Sequence, residues 1–323
     1  MFRVLINKYL AHSLAQNSRT MCYRVKPLPD SLVSLGEGPH WDAARQSLYY
    51  VDLPVGGLLR YDYRENKVYR TQIEGEKLAS FVLPVECNLQ EFTVGCGRRT
   101  VIVNWDGVAP CTKVRRTLFE VQLDKPQNRF NDAKTDPSGR LFAGTMLYGP
   151  EEFERREGEL YRWQAGGKVE LVKSDVGISN GLAWDKKSKK FYYVDTTDYE
   201  VKSYCYDIET GCIDKPKVIY NFRKTSPKDH IQPDGMTIDT DGNIYVATFN
   251  DAAVYKIDPR CGKLLQKIKL PTMQITSVAF GGPNLDILYV TTGAKHGEPA
   301  PAGTTYQVMG LNVQGYAGVN LKI

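Results

Sequence analysis

Residues 180–196 read NGLAWDKKSKKFYYVDT, and residues 234–249 read DGMTIDTDGNIYVATF. Each stretch joins a short apolar run, a polar turn rich in Asp, Gly, Ser and Lys, and an aromatic run. Alternation within the runs and turn residues between them are typical of β-hairpins. Both stretches therefore predict a pair of antiparallel strands.

The same pattern returns along the chain, so the hairpin is a repeat. Three clear copies and one weaker copy complete the set: GEGPHWDAARQSLYYVDL (36–53), NDAKTDPSGRLFAGTM (131–146), TSVAFGGPNLDILYVTTG (276–293) and SFVLPVECNLQEFTVGCG (80–97). Most copies precede a second hairpin, for example LLRYDYRENKVYR at 58–70. A four-stranded unit recurring at about 45–50 residues is typical of a propeller blade. The repeats predict an all-β, six-bladed β-propeller with four antiparallel strands per blade.

The repeats also predict the domain organisation. Residues 22–323 form a single propeller domain, and residues 1–21 form a flexible N-terminal extension that is a candidate targeting segment. Propellers usually close their ring by pairing the two termini in one blade, which hides edge strands. Residues 23–28 are the predicted closing strand, and a helix is predicted only around residues 151–157.

Charge and cysteine content exclude several classes of protein. The net charge is +5, but residues 1–20 hold three basic residues and no acidic one, leaving 39 basic against 37 acidic residues in the remainder. The rest of the chain is nearly neutral, which does not favour a nucleic-acid partner. The sequence contains no apolar run of 18 residues, so no membrane-spanning helix is predicted. Seven cysteines without a CxxC pair or zinc spacing indicate reduced thiols in a cytosolic protein. We expect a cytoplasmic location, or a mitochondrial one if residues 1–20 act as a transit peptide.

Aligning the six copies on their first strand gives one column of polar residues: Glu37, Ser80, Asn131, Asn180, Asp234 and Thr276. The first strand of a propeller blade lines the central channel, so these six side chains are expected to face one another at one mouth. Each residue alone has an ordinary interpretation, since Asn-Gly and Asp-Gly are common turn dipeptides. Their shared register favours a functional site.

The column predicts a metal centre. Glu37, Asn180 and Asp234 provide two carboxylates and an amide oxygen, which suit one hard divalent cation such as Ca²⁺; Zn²⁺, Mn²⁺ and Mg²⁺ remain open. Arg129 and Asn131 are placed to bind a polar ligand. No histidine lies near a Ser or Cys at a recognisable nucleophile elbow, so a Ser-His-Asp hydrolase is not supported.

At these motifs the sequence resembles the senescence-marker-protein/regucalcin/gluconolactonase family, whose insect members include luciferin-regenerating enzymes. The resemblance rests on LGEGPHWD, NRFNDAKTDPSGRLFAGTM, ISNGLAWD and QPDGMTIDTDG. It implies a six-bladed propeller with metal ligands at Glu37, Asn180 and Asp234 and substrate contacts at Arg129 and Asn131. A family glutamate after GTM has no match, because Gly149 occupies its place; Glu151 or Glu152 is the expected substitute.

The function implied by the resemblance is metal-dependent hydrolysis of a sugar lactone to an aldonic acid, with Asp234 as catalytic base. The expected class is a gluconolactonase-type hydrolase of carboxylic esters, with a small lactone as partner and no nucleic acid, membrane or obligate protein partner. Three alternatives stay open: a calcium-binding regulatory protein with little turnover, a hydrolase of a non-sugar substrate, and a protein-interaction propeller.

Overall fold

Strands account for nearly all regular structure, as the alternating apolar and aromatic runs predict. The computed structural model describes residues 23–225 and 231–323. Its strands are β1 (Arg24–Pro27), β2 (Gly36–Asp42), β3 (Ser47–Asp52), β4 (Gly57–Asp62), β5 (Lys67–Ile73), β6 (Val82–Pro84), β7 (Glu91–Cys96), β8 (Arg99–Asn104), β9 (Cys111–Thr112), β10 (Val114–Glu120), β11 (Asn128–Thr135), β12 (Leu141–Leu147), β13 (Gly158–Gln164), β14 (Lys168–Val176), β15 (Ser179–Asp185), β16 (Lys190–Asp195), β17 (Glu200–Tyr206), β18 (Ile213–Asn221), β19 (Gln232–Ile238), β20 (Ile244–Phe249), β21 (Ala253–Asp258), β22 (Lys263–Lys269), β23 (Ile275–Gly281), β24 (Ile287–Thr292) and β25 (Tyr306–Met309).

These strands form six sheets, and each sheet is one blade of the predicted six-bladed β-propeller. Blade 1 is β2–β5, blade 2 is β6, β7, β8 and β10, blade 3 is β11–β14, blade 4 is β15–β18, blade 5 is β19–β22, and blade 6 is β23–β25 with β1. Neighbouring strands within each blade are antiparallel. The short strand β9 adds a parallel edge to blade 1, where Gln72 lies opposite Cys111.

The N-terminal strand closes the ring. β1 pairs antiparallel with β25, and Arg24 lies opposite Met309 while Pro27 lies opposite Tyr306. The closing strand predicted at residues 23–28 is therefore confirmed. The extension predicted for residues 1–21, together with its targeting role, lies outside the described residues.

The helix predicted around residues 151–157 is wrong. A single turn forms there, in which the Arg155 amide donates to the Glu151 carbonyl at 3.1 Å, and the chain is extended again by Gly158. The helices of the described residues are α1 (Phe222–Thr225) and three 3-10 turns at Leu53–Val55, Thr196–Asp198 and Lys295–Gly297. None of these helices is long and apolar enough to cross a membrane.

Aromatic side chains join every blade to the next. Each of the six pairs of adjacent blades is joined by two aromatic rings whose centroids lie 4.9–6.0 Å apart. The ring pairs are Tyr49 with Phe92, Phe81 with Phe130, Phe142 with Trp184, Phe222 with Tyr255, Tyr245 with Phe280, and Trp41 with Tyr289. Each such pair contributes about 0.5–1.5 kcal/mol beyond its buried area. The aromatic residues of the repeat therefore stabilise the ring, which holds the six inner strands around one channel.

Candidate metal centre and substrate pocket

The column residues lie at irregularities in the inner strands. In five blades the antiparallel register between the first and second strand shifts at the column residue: Glu37, Asn131, Asn180, Asp234 and Thr276. A β-bulge bends its strand and changes the direction of a side chain. This local feature allows a side chain of the inner strand to point into the channel mouth.

Four of the six column residues line one pocket, which we call the site pocket. Glu37, Asn131, Asn180 and Asp234 line it together with Arg129, in a cavity of about 60 Å³. The expectation that all six would meet is wrong for Ser80 and Thr276, which do not line it. Both hydroxyls instead donate hydrogen bonds to backbone carbonyls. Ser80 Oγ donates to the Phe130 carbonyl (2.6 Å), and Thr276 Oγ1 donates to the Gly36 carbonyl (2.6 Å).

These two hydrogen bonds belong to a ring that runs from blade to blade. Asn131 Nδ2 donates to the Ser179 carbonyl (2.9 Å), and Asn180 Nδ2 donates to Thr196 Oγ1 (2.8 Å), which donates to the Pro233 carbonyl (2.8 Å). Every acceptor carbonyl in this ring belongs to the residue just before the next column residue. Glu37 and Asp234 donate no such hydrogen bond among the described residues, and both line the pocket instead.

The glycines that follow Asn180 and Asp234 are not turn residues. Asn180 and Gly181 lie inside β15, and Asp234 and Gly235 lie inside β19. A Cβ at Gly181 would lie 2.7 Å from the Asp234 carbonyl, and one at Gly235 would lie 2.8 Å from the Ser277 Cα. The two glycines are therefore needed for the close approach of neighbouring inner strands. The interpretation of Asn180-Gly181 and Asp234-Gly235 as hairpin turns is excluded.

Burial and mutual repulsion raise the pKa of the acidic side chains. The pKa of Glu37 rises to about 8 because the carboxylate is buried and Asp132 lies nearby. The pKa of Asp234 rises well above its usual value because of burial and of Glu37. Burial also raises the pKa of Asp132 to about 6. A bound cation would reverse this effect by favouring the charged forms.

Glu37, Asn180 and Asp234 fit a divalent cation. Asp234 Oδ1 is buried and has no hydrogen-bond partner among the described residues. Asn180 uses its amide nitrogen on Thr196, so its carbonyl oxygen faces Asn131, which donates to it at 3.2 Å. The described residues contain no group of three or more His, Cys, Asp or Glu placed for a metal. The candidate set is therefore two carboxylates and an amide, a donor set for a hard cation.

Arg129 and Asn131 form the polar wall beside the carboxylates. Arg129 Nη1 donates to Asn131 Oδ1 (2.7 Å) and to the Phe130 carbonyl (2.9 Å), and its guanidinium lies 5.2 Å from the Tyr148 ring centroid. Arg129 Nε is buried and unpartnered among the described residues. Burial lowers the pKa of Arg129, although nearby carboxylates oppose this. The guanidinium is thus fixed in place at the edge of the pocket.

The structure adds residues that the column did not identify. Glu152 and Lys295 line the site pocket and form an ion pair at 3.6 Å, whereas Glu151 pairs with the exposed Arg155. Of the two glutamates expected to replace the one missing at Gly149, Glu152 is therefore the one at the pocket. Lys295 begins the 3-10 turn Lys295–Gly297 after the last repeat, where no repeat register identified it.

Two polar side chains, Thr196 and Gln232, and six apolar ones form the remaining wall of the site pocket. The apolar side chains are Leu35, Leu53, Met146, Phe153, Ile178 and Phe249. Leu53, Met146 and Phe249, like Thr196, are the final residues of the repeat copies quoted above. The repeat register therefore contained the signal for these four residues, because the second strands of blades 1, 3, 4 and 5 end at the pocket. Leu35 and Ile178 lie two positions before the column residues Glu37 and Asn180, so the repeat register also indicated their place at the pocket.

The comparisons with known proteins agree with this architecture. The family described as "SMP-30/Gluconolactonase/LRE-like region" matches residues 35–294. The chain belongs to this family. It is 37% identical over 296 residues to regucalcin of Sus scrofa, covering 88% of this chain and 95% of that protein, and 36% identical over 290 residues to regucalcin of Homo sapiens, covering 87% and 93%.

Solved structures of the family share the fold. A luciferin-regenerating enzyme superposes with a TM-score of 0.86 at 36% identity, covering 94% of this chain and all of that chain. A gluconolactonase from Xanthomonas campestris has a TM-score of 0.67 at 18% identity, with 89% of each chain covered, and shows the fold alone. The SMP-30/gluconolactonase family thus supports a lactonase-like or calcium-binding function for this chain.

Proposed function

We propose that the protein is a metal-dependent hydrolase of lactones, of the gluconolactonase type, which converts a sugar lactone and water to an aldonic acid. The observation that carries the proposal is the convergence of two buried carboxylates and an amide oxygen beside Arg129 and Asn131. A bound divalent cation, Ca²⁺ being the first expectation, would supply Lewis acidity toward the lactone carbonyl.

The residues of the chain would divide the remaining work. A carboxylate has two oxygens, so Asp234 could hold the cation through one of them and accept a proton from the attacking water through the other. The guanidinium of Arg129 lines the pocket and is held by Asn131 and the Phe130 carbonyl, so it can orient an oxygen of the substrate. Glu37 and Asn180 would complete the metal ligands. Glu152 lies where it could accept hydrogen bonds from substrate hydroxyls, in place of the family glutamate missing at Gly149.

A second candidate is hydrolysis of a substrate with an apolar body. The apolar wall of the site pocket favours it, because Leu35, Met146 and Ile178 offer no hydrogen bond to a polyhydroxylated ring. The structural similarity to a luciferin-regenerating enzyme points the same way. A lactone panel that includes glucono-1,5-lactone and alkyl- or aryl-substituted lactones, measured with Ca²⁺, Mn²⁺, Zn²⁺ and Mg²⁺, distinguishes the two candidates.

The test of the proposal is the pair Asp234→Ala and Asp234→Asn. We expect each to lower kcat/KM for glucono-1,5-lactone, or for the best lactone of the panel, by about 10²–10⁴-fold. Asp241→Asn, an exposed aspartate of the same blade, is the matched control and should keep full activity. EDTA should remove the activity and added metal should restore it.

Two results would contradict the proposal. Full hydrolysis by the metal-free protein would show that no cation is needed. Tight calcium binding without turnover of any lactone would instead support a calcium-binding regulatory protein, the other function that the family allows.

A further inference from the structure

A second cavity lies at the opposite end of the same channel. It measures about 240 Å³, against about 60 Å³ for the site pocket. Its inner wall is formed three positions after the column, by His40, Lys134, Ala183, Thr237 and Ala279. We call it the far cavity.

The C-terminal segment covers the far cavity. Residues 314–322, which we call the C-terminal strap, cross the channel and bind several blades through their backbone. The Thr240 amide donates to the Gln314 carbonyl (2.8 Å), the Gly318 amide to the Trp41 carbonyl (2.9 Å) and the Leu321 amide to the Pro84 carbonyl (2.9 Å). Blades 5, 1 and 2 thus hold the strap in place. Tyr316 of the strap is half exposed and lines the cavity at its entrance.

The electrostatics of the far cavity favour an anion. Its lining contains Lys134 inside and Lys186 at the exposed entrance, and no Asp or Glu of the described residues belongs to it. Lys134 Nζ donates a hydrogen bond to the Met236 carbonyl at 2.5 Å. Asp132 interacts with Lys134 electrostatically but does not line the cavity. His40 is buried with a pKa lowered to about 4, so it is neutral near pH 7.

Two indoles of the cavity wall lack hydrogen-bond acceptors. Trp41 and Trp184 both line the far cavity and are more than nine-tenths buried. Neither Nε1–H has an acceptor among the described residues. The two indoles therefore contribute flat aromatic surface to the wall. The rest of the wall is apolar, with Leu182, Ile238 and Phe280.

We propose that the far cavity is a second binding site, for a small organic anion that carries a carboxylate or sulfonate on a flat apolar body. Lys134 matches the charged oxygens of the anion, and the aromatic and apolar wall matches its body. The volume is slightly below that of sites for drug-sized ligands, which indicates a ligand of about two rings. This site is independent of the proposed hydrolase and requires no chemical step.

The test is a calorimetric titration of the full-length protein with 2-naphthoate, and with its neutral analogue 2-naphthamide. We expect saturable binding of the carboxylate and at least about tenfold weaker binding of the amide. Lys134→Met should weaken naphthoate binding by about tenfold or more, because it removes a hydrogen bond to a charged group. Lys187→Met, an exposed lysine beside the entrance residue, is the matched control and should bind as wild type.

A second variant keeps the test valid if Lys134→Met folds poorly. Ala279→Leu should fill part of the cavity and abolish binding, with thermal unfolding used to verify that the variant is folded. Asp234→Ala should bind naphthoate as wild type does, whatever happens to its lactonase activity, so the two proposals can fail separately. No saturable binding by the wild type, equal affinity in all variants, or loss of binding in Asp234→Ala would overturn the second site.

Discussion

The two ends of the channel are built from the same propeller but differ in their balance of charged side chains. The site pocket has three carboxylates in its lining against the two cations Arg129 and Lys295, whereas the far cavity has Lys134 and Lys186 and no carboxylate among its described residues. Only three positions along each strand separate the column residues from the wall of the far cavity. The fold therefore determines where a side chain points, and residue type at each position determines what can bind.

Burial acts on the two ends in opposite directions. At the site pocket it raises the pKa of the carboxyl groups, and at the far cavity it lowers the pKa of Lys134. Each shift reflects the cost of removing a charge from water. A cation at the first end and an anion at the second would each restore the charged form. The difference suggests that one channel holds two sites of opposite charge preference.

The largest expected effect separates the two sites by mutation. Glu37→Gln should weaken calcium binding by at least about a hundredfold, since even indirect partners of a metal ligand are worth about 10–100-fold. The same variant should bind 2-naphthoate within about twofold of wild type, because distant sites behave additively. Calorimetry with both ligands measures this, and Lys134→Met should show the reverse pattern. Parallel losses in both variants would mean that the two ends are one coupled site.

The next effect concerns the strap that closes the far cavity. Leu321 is fully buried and packs with Phe81 and Leu83, so Leu321→Ala should lower the free energy of unfolding by about 2–5 kcal/mol. Ile323→Ala, an exposed position two residues later, should change it by less than about 0.5 kcal/mol. Chemical denaturation measures both. A small effect at Leu321 would show that the strap is not part of the cooperative fold.

The two ends should also respond to pH with opposite signs. The raised pKa of Glu37, about 8, means that the metal-free protein is stabilised below the usual carboxyl pKa and loses that contribution as pH rises through 8. Calcium binds the ionised carboxylate, so the affinity for calcium should increase as the pH rises from about 6 to about 9. The expected increase is about tenfold per pH unit for each carboxyl group that is not yet ionised. Naphthoate affinity should instead decrease at alkaline pH as Lys134 loses its proton. Calorimetric titrations at four pH values test both trends.

The sequence predicted the framework of this comparison better than its details. The six blades, the closing strand β1 and the position of Glu37, Asn180 and Asp234 at one mouth followed from the repeat, because repeat register converts directly into propeller geometry. The pairing of Glu152 with Lys295 and the position of the strap did not follow, because both depend on loops outside the repeat. Ser80 shows a further limit: a polar residue in the column serves the fold when a backbone carbonyl lies within reach.

That limit gives the smallest predicted effect. Thr276 occupies the same column as Asp234 but lines neither the site pocket nor the far cavity. Its hydroxyl donates a hydrogen bond to the Gly36 carbonyl at 2.6 Å. Thr276→Val keeps the shape and leaves a buried carbonyl unpaired, so it should lower stability by about 1–3 kcal/mol without changing calcium or naphthoate affinity. Thr276→Ser, which keeps the hydroxyl, is the control for this loss. A change in calcium affinity in Thr276→Val alone would show that the hydrogen-bond ring positions the metal ligands, and the column would then act as one unit and not as two classes of residue.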